Sequence, residues 1–199
     1  MDEPTINLDD PKYHLIRNFS IIKFVDKGRR ANVFKVADKN HTVYALKVAR
    51  EDTEERFLQA VRSFTSEPKK AKSYKELGLA HAAIIKSHTN FIVKEWIEGI
   101  RGDAWTKQWA TACAPCNSIQ ASGLRKLVYK LSKQGVYIGD LNAKNLIWKA
   151  DSWIVVDSGS IKKRLTFDEA MTRYVTNIPQ RWGKYGEVST IRDLEVLLS

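Results

Sequence analysis

Two runs rich in β-branched and aromatic residues, NVFKVA (32–37) and TVYALKVA (42–49), are separated only by Asp38-Lys39-Asn40-His41. Asp and Asn favour tight turns, so the stretch is predicted to be a β-hairpin. SIIKFVD (20–26) before it and NFIVKEW (90–96) after it read as further strands. The first half is thereby committed to an antiparallel sheet. Between Asp52 and Leu79 the pattern turns helical: Phe57, Leu58 and Val61 form one stripe, Pro68 opens a new turn, and Ala71, Tyr74 and Leu77 form a second stripe closed by Gly78.

The second half reads as mostly helical around one strand pair. DAWTKQWATA and the amphipathic LRKLVYKLSKQG are helices, the latter burying Leu124, Leu127, Val128 and Leu131 and stopping at Gly135. NLIW and SWIVVD are short strands joined by the turn KADS, and STIRDLEVLLS is a terminal helix with Leu194, Leu197 and Leu198 on one side. Strands segregated from helices in 199 residues give an α+β fold, as one domain or as two small lobes.

Charge and composition narrow the function. A net charge of +10 suits nucleic acid, a membrane surface or a phosphate-bearing small molecule. The cations are dispersed in groups such as Lys69, Lys70 and Lys72, or Lys162, Lys163 and Arg164, with no nucleic-acid motif among them, so nucleic acid is not an expected partner. No window approaches the run of about 20 apolar residues that crosses a bilayer, and membrane insertion is not expected. MDEPTINLDDPKYH lacks the cationic flank and apolar block of a cleavable signal. The two cysteines, Cys113 and Cys116, provide half of a zinc site and follow a helix where a redox CxxC follows a strand. They read as a chance spacing in a loop.

The chemistry lies around YIGDLNAKNLIW (137–148). A loop bearing Asp140 and Asn145 precedes a hairpin that ends at Asp157, which brings three oxygen-bearing side chains to one mouth. Such a set can hold a hard cation and accept a proton. Ordinary turn chemistry is the alternative for the triplet taken alone.

With these residues in hand the chain resembles the protein kinase superfamily from about Ile21 to Gly159. DLNAKN matches the catalytic loop, VVDSG stands at Asp-Phe-Gly, VDKGRRANVFKV lines up with the Gly-rich loop, and YALKVA with the strand bearing the ATP-gripping lysine. The resemblance implies a minimal bilobal protein kinase-like fold. An N-terminal extension (1–18), flexible or secretion-related, would precede an antiparallel-sheet N-lobe and hinge (19–98) and a curtailed, mainly helical C-lobe (99–199).

It further implies ATP and magnesium as cofactors, with Asp140, Lys47 and Glu67 catalytic. Lys47 would hold the α- and β-phosphates, oriented by Glu67, with Glu76 the second candidate and a purely structural Glu67 the alternative. Asp140 would accept or orient the substrate hydroxyl, and Asn145 and Asp157 would hold magnesium. Gly28 would cover the phosphates, Val33 and Ala45 the adenine from above, and Ile147 from below. Hinge backbone from Glu95 to Ile97 would bond the adenine edge, which puts Lys94 at the normally apolar gatekeeper position.

Departures from the family pattern bear on regulation and specificity. Gly28 is the one glycine kept of the three in the Gly-rich loop, Ile138-Gly139 replaces His-Arg before the catalytic Asp, and Asn142 replaces the lysine typical of Ser/Thr kinases. IPQRWGKYGE stands in place of Ala-Pro-Glu. Asp193 would brace the catalytic loop or be an exposed helical aspartate. At this length the chain looks like the minimal kinases that bacteria inject into host cells by type III secretion. One such family phosphorylates the eukaryotic ninety-kilodalton heat-shock chaperone. The expectation is a monomeric protein serine/threonine kinase effector, secreted into host cytoplasm, with a host protein as partner. A sugar- or lipopolysaccharide-type small-molecule kinase and a non-catalytic pseudokinase are the alternatives.

Overall fold

A computed structural model describes residues 4–112, 119–157 and 159–185. Cys113, Cys116, Ser158 and Asp193 lie outside the described residues, as does the predicted terminal helix. In chain order the elements are β1 (Ser20–Lys27), β2 (Ala31–Ala37), β3 (Val43–Ala49), α1 (Glu54–Glu76), β4 (Ile84–Ser87), β5 (Phe91–Glu95) and β6 (Ile100–Arg101). There follow α2 (Gly102–Ala112), α3 (Ile119–Lys133), β7 (Tyr137–Ile138), β8 (Leu146–Lys149), β9 (Ser152–Val155), β10 (Ile161–Lys162) and α4 (Phe167–Trp182). The chain divides into two compact units, Met1–Lys72 with Ala82–Trp96, and Ser73–His81 with Ile97–Ser199.

The first unit is a five-stranded antiparallel sheet in the order β1-β2-β3-β5-β4. Its predicted hairpin is fixed by Asp38, whose carboxylate accepts the N–H groups of Asn40 and Thr42 at 2.9 Å each, while His41 takes φ 60°. Strand alternation sends Phe34, Val36, Leu46, Val48, Phe91 and Val93 to one face. Tyr13 and Ile16 are buried against this face, so residues of the N-terminal segment belong to the core. The opposite face carries Ala31, Ala49 and Ile92, on which Ala60 and Phe64 of α1 pack.

α1 departs from expectation by running unbroken through Pro68. Proline has no N–H for the carbonyl four residues back, which normally kinks a helix. Here that carbonyl, on Phe64, accepts the Ser87 hydroxyl at 3.4 Å. A side chain from the neighbouring strand takes up the orphaned acceptor and the helix continues.

The second unit packs α2, α3 and α4 around a three-stranded sheet, β6-β8-β9, and a strand pair, β10-β7. Its core includes Trp105, Trp153 and Trp182, which meet edge to face with centroids 5.7–5.9 Å apart, an arrangement aromatic quadrupoles favour. Two indole N–H groups bond to backbone: Trp153 to Gln120 O at 2.9 Å and Trp182 to Leu141 O at 3.0 Å. The predicted hairpin NLIW–SWIVVD is β8 and β9, joined by Ala150 and Asp151 at φ 46° and 58°, the positive pair that a two-residue turn demands.

Candidate active site

In the first unit, sheet register decides which side chains share a face. Val33 pairs with Lys47, Lys35 with Ala45, Ala45 with Lys94, and Lys47 with Ile92. Directly paired residues point the same way, so Val33, Ala45, Lys47 and Lys94 all lie on the α1-facing side of the sheet. Three of the residues expected at the nucleotide thus come together. Gly28 sits exposed in the β1–β2 turn, its N–H on Ala31 O at 2.9 Å and its carbonyl receiving the Arg50 guanidinium at 3.1 Å.

Glu67 follows Phe64 by three positions on α1 and projects to the same side. It is 1% exposed, and its carboxylate receives the ammonium of Lys94, itself 2% exposed. A carboxylate this deep stays charged only beside a cation. Lys94 is thus buried near the end of β5, where its ion pair with Glu67 offsets the cost of burying a lysine. Glu76, in the last turn of α1, is exposed. Glu95 ends β5, its N–H donated to Ala83 O at 2.8 Å. Ile97 is buried and belongs to the second unit.

In the second unit, the loop after β7 and the segment after Asp157 run side by side. β7 pairs antiparallel with β10, and the Gly139 N–H donates to Ser160 O at 2.8 Å. Gly159 packs so closely on Asp140 that a Cβ there would strike the aspartate's own Cβ and stand 2.8 Å from its backbone nitrogen. Glycine is the one residue without that atom. The Gly159 N–H donates to the Tyr74 hydroxyl at 3.1 Å, closing the other side.

Asparagines organise the loop itself. Asn142 Oδ1 accepts the Lys144 N–H at 3.0 Å, capping the 3-10 turn Ala143–Asn145, while its Nδ2 donates to Asp140 Oδ1 at 2.7 Å. Asn145 Nδ2 donates to the Asp140 carbonyl at 3.0 Å, and the Asn145 carbonyl accepts the Val156 N–H at 2.9 Å. These bonds tie Asp140 to Asn145, and Asn145 to the residue before Asp157. Asp140, Asn145 and Asp157 are each half-buried. Ile147, on β8, is half-buried between its partners Ile154 and Arg101.

α4 braces this loop. The Tyr174 hydroxyl accepts the Ile138 N–H at 2.9 Å and donates to Val136 O at 3.2 Å. Burial pushes its phenol well above the ordinary range, so it stays protonated and able to donate. Trp182 holds Leu141 O, and the Arg181 guanidinium donates to Gly139 O and lies 3.7 Å from Asp140 Oδ1. A signal for α4 was present: Thr166-Phe-Asp-Glu169 is a capping box, followed by Ala170, Tyr174, Ile178 and Trp182 at helical spacing.

No family model matches the chain, and no curated protein matches it. Solved structures do. Rio2 kinase from Chaetomium thermophilum is similar with TM-score 0.57 and 16% identity over 92% of this chain, which spans 65% of that one. The Rio2 kinase-ADP/Mg2+-phosphoaspartate complex from the same organism gives TM-score 0.54 and 16% identity, covering 93% of this chain and 72% of that one. The Rv3197-erythromycin complex from Mycobacterium tuberculosis gives 0.51 and 13%, covering 72% and 47%. At such identities the likeness concerns fold alone. The chain has a protein kinase-like fold of class α+β, an antiparallel-sheet N-lobe joined to a mainly helical remainder.

Proposed function

We propose that the chain is an ATP- and magnesium-dependent phosphotransferase acting on a protein serine or threonine. The observation that carries this reading is the packing of Gly159 on Asp140 and the bonds that tie Asp140 to Asn145 and Asn145 to Val156, beside Asp157, which supplies a proton acceptor and two oxygen donors from one loop and one hairpin. Asn145 spends its Nδ2 on the Asp140 carbonyl, which turns Oδ1 away and leaves it to a cation. Asn145 Oδ1 and Asp157 suit magnesium, which takes one or two protein oxygens and fills its remaining positions with phosphate and water. Bound there, the ion would neutralise charge on the nucleotide's phosphates.

Lys47 would hold the α- and β-phosphates as a fixed cation. Asp140 would orient the substrate hydroxyl, whose oxygen bonds to the γ-phosphorus as the bond from that phosphorus to the β–γ bridging oxygen breaks. The electron pair leaves with ADP and the hydroxyl proton passes to Asp140. Val33, Ala45 and Ile147 would flank the adenine, with Glu95 to Ile97 at its edge. The acceptor we take to be a protein of a host cell reached by type III secretion, the ninety-kilodalton chaperone foremost. Support for this is the resemblance of the DLNAKN catalytic loop to that of such effectors.

A small-molecule kinase is the second reading. It draws on the neutral Asn142 in the catalytic loop and on a neighbour whose structure holds erythromycin. Incubation with labelled ATP, magnesium and a eukaryotic lysate distinguishes the readings. A labelled protein band that Asp157→Ala abolishes is the expected outcome. Label confined to small molecules would favour the second reading, and nucleotide binding without transfer would contradict both.

A further inference from the structure

We propose that Arg181 is a catalytic residue, reaching from α4 to place its guanidinium on the phosphoryl group in transit between ATP and the hydroxyl held by Asp140. The inference rests on the phosphotransfer reading above. It begins from position 142. Phosphoryl transfer gathers negative charge next to a carboxylate, so a fixed cation there stabilises the transition state. Position 142, whose side-chain nitrogen lies 2.7 Å from Asp140 Oδ1, is a neutral asparagine. Lys144, the loop's own lysine, has its ammonium over the Tyr185 ring at 5.9 Å.

Arg181 supplies the charge from another element. The buried stripe of Tyr174, Ile178 and Trp182 fixes the rotation of α4, which sets Arg181 on the flank beside the loop. One guanidinium N–H is spent on Gly139 O, and NH1 stands 3.7 Å from Asp140 Oδ1. Asn142 meets that same oxygen. Both contacts thus fall on Oδ1, which leaves Oδ2 to the substrate hydroxyl. The Arg181 side chain is 38% exposed. An ion pair so open contributes little to stability. Guanidinium has five N–H donors in a planar fork suited to phosphate oxygens, and most of that fork is unspent. During transfer it would donate to non-bridging oxygens of the phosphoryl group while the hydroxyl oxygen bonds to phosphorus and the bridging oxygen departs with ADP.

The test is steady-state transfer by Arg181→Met, by Asn142→Lys, and by the double variant. Arg181→Met is expected to lower kcat by about a hundredfold or more, with KM for ATP and the melting temperature little changed. Asn142→Lys puts an ammonium beside the same Asp140 oxygen, so the double variant should recover about tenfold or more of kcat. A bond that merely held Gly139 would gain nothing from a lysine at 142. Equal kcat in Arg181→Met and the unmodified chain, or no recovery in the double variant, would overturn the proposal. Should Arg181→Met melt below the assay temperature, Arg181→Lys against Arg181→Gln gives the same contrast between charge kept and charge removed. Absence of transfer by the unmodified chain would instead overturn the kinase reading beneath it.

Discussion

Lys94 and Glu67 form a buried pair whose members depend on each other. Removing the ammonium alone leaves a carboxylate in a site 1% exposed, and breaking a buried pair from one side typically costs about 3–5 kcal/mol. Lys94→Ala should lower unfolding stability by about that amount in denaturant titrations, and Lys94→Met with Glu67→Gln should return most of it. A loss below about 1 kcal/mol for Lys94→Ala would mean that water reaches the carboxylate. The sequence places both residues near the nucleotide, with Glu67 expected to orient Lys47, but gives no sign of the pair with Lys94. The pair with Lys94 spans 27 positions and exists because strand register and helix rotation bring them to one place, which motif spacing does not encode. Asp140 and Asn145 were legible for the opposite reason. Their bonds to one another run within five residues of chain, where local pattern and local geometry are the same thing.

Among the elements, α4 shows what was present in the sequence and passed over. Thr166 accepts the Glu169 N–H at 3.2 Å while Glu169 accepts the Thr166 N–H at 2.8 Å, and the stripe that follows is buried from Ala170 to Trp182. Thr166→Ala should cost about 1 kcal/mol in thermal or denaturant unfolding. The Thr166 backbone N–H, then its hydroxyl, hold the Glu169 carboxyl below its ordinary value. A depressed folded value means that this stabilisation is complete above the unfolded value and disappears as pH falls through the folded one. The stability difference between the unmodified chain and Glu169→Gln should therefore narrow on acidification. A difference that stays constant to the acid limit would contradict the cap. α1 teaches the converse: Pro68 was a sound reason to expect a break, and the Ser87 hydroxyl on Phe64 O is a tertiary contact invisible from the helix alone.

Across the whole molecule, the sheet of the first unit was legible because turn residues and strand alternation are local signals, and the hairpin carrying Asn145 and Asp157 was legible likewise. The brace of the second unit was not. Tyr174, Arg181 and Trp182 stand 36 to 42 positions from the loop atoms they hold, and they matter only once α4 has packed. Among the described residues, α4 supports the loop's start by three side chains, two on its carbonyls and one on the Ile138 N–H. The N-terminal segment behaves similarly: acidic and polar as a string, it nonetheless buries Tyr13 and Ile16 on the outer face of the sheet.

The proposed phosphoryl transfer calls on Lys47 as the cation that holds the phosphates of ATP. Turnover of labelled ATP by the purified chain with its protein acceptor and magnesium, compared with Lys47→Ala shown folded by circular dichroism, tests it most directly. Transfer by the unmodified chain, reduced about a hundredfold or more by the substitution, is the expected result. Equal turnover by the two folded proteins would contradict it.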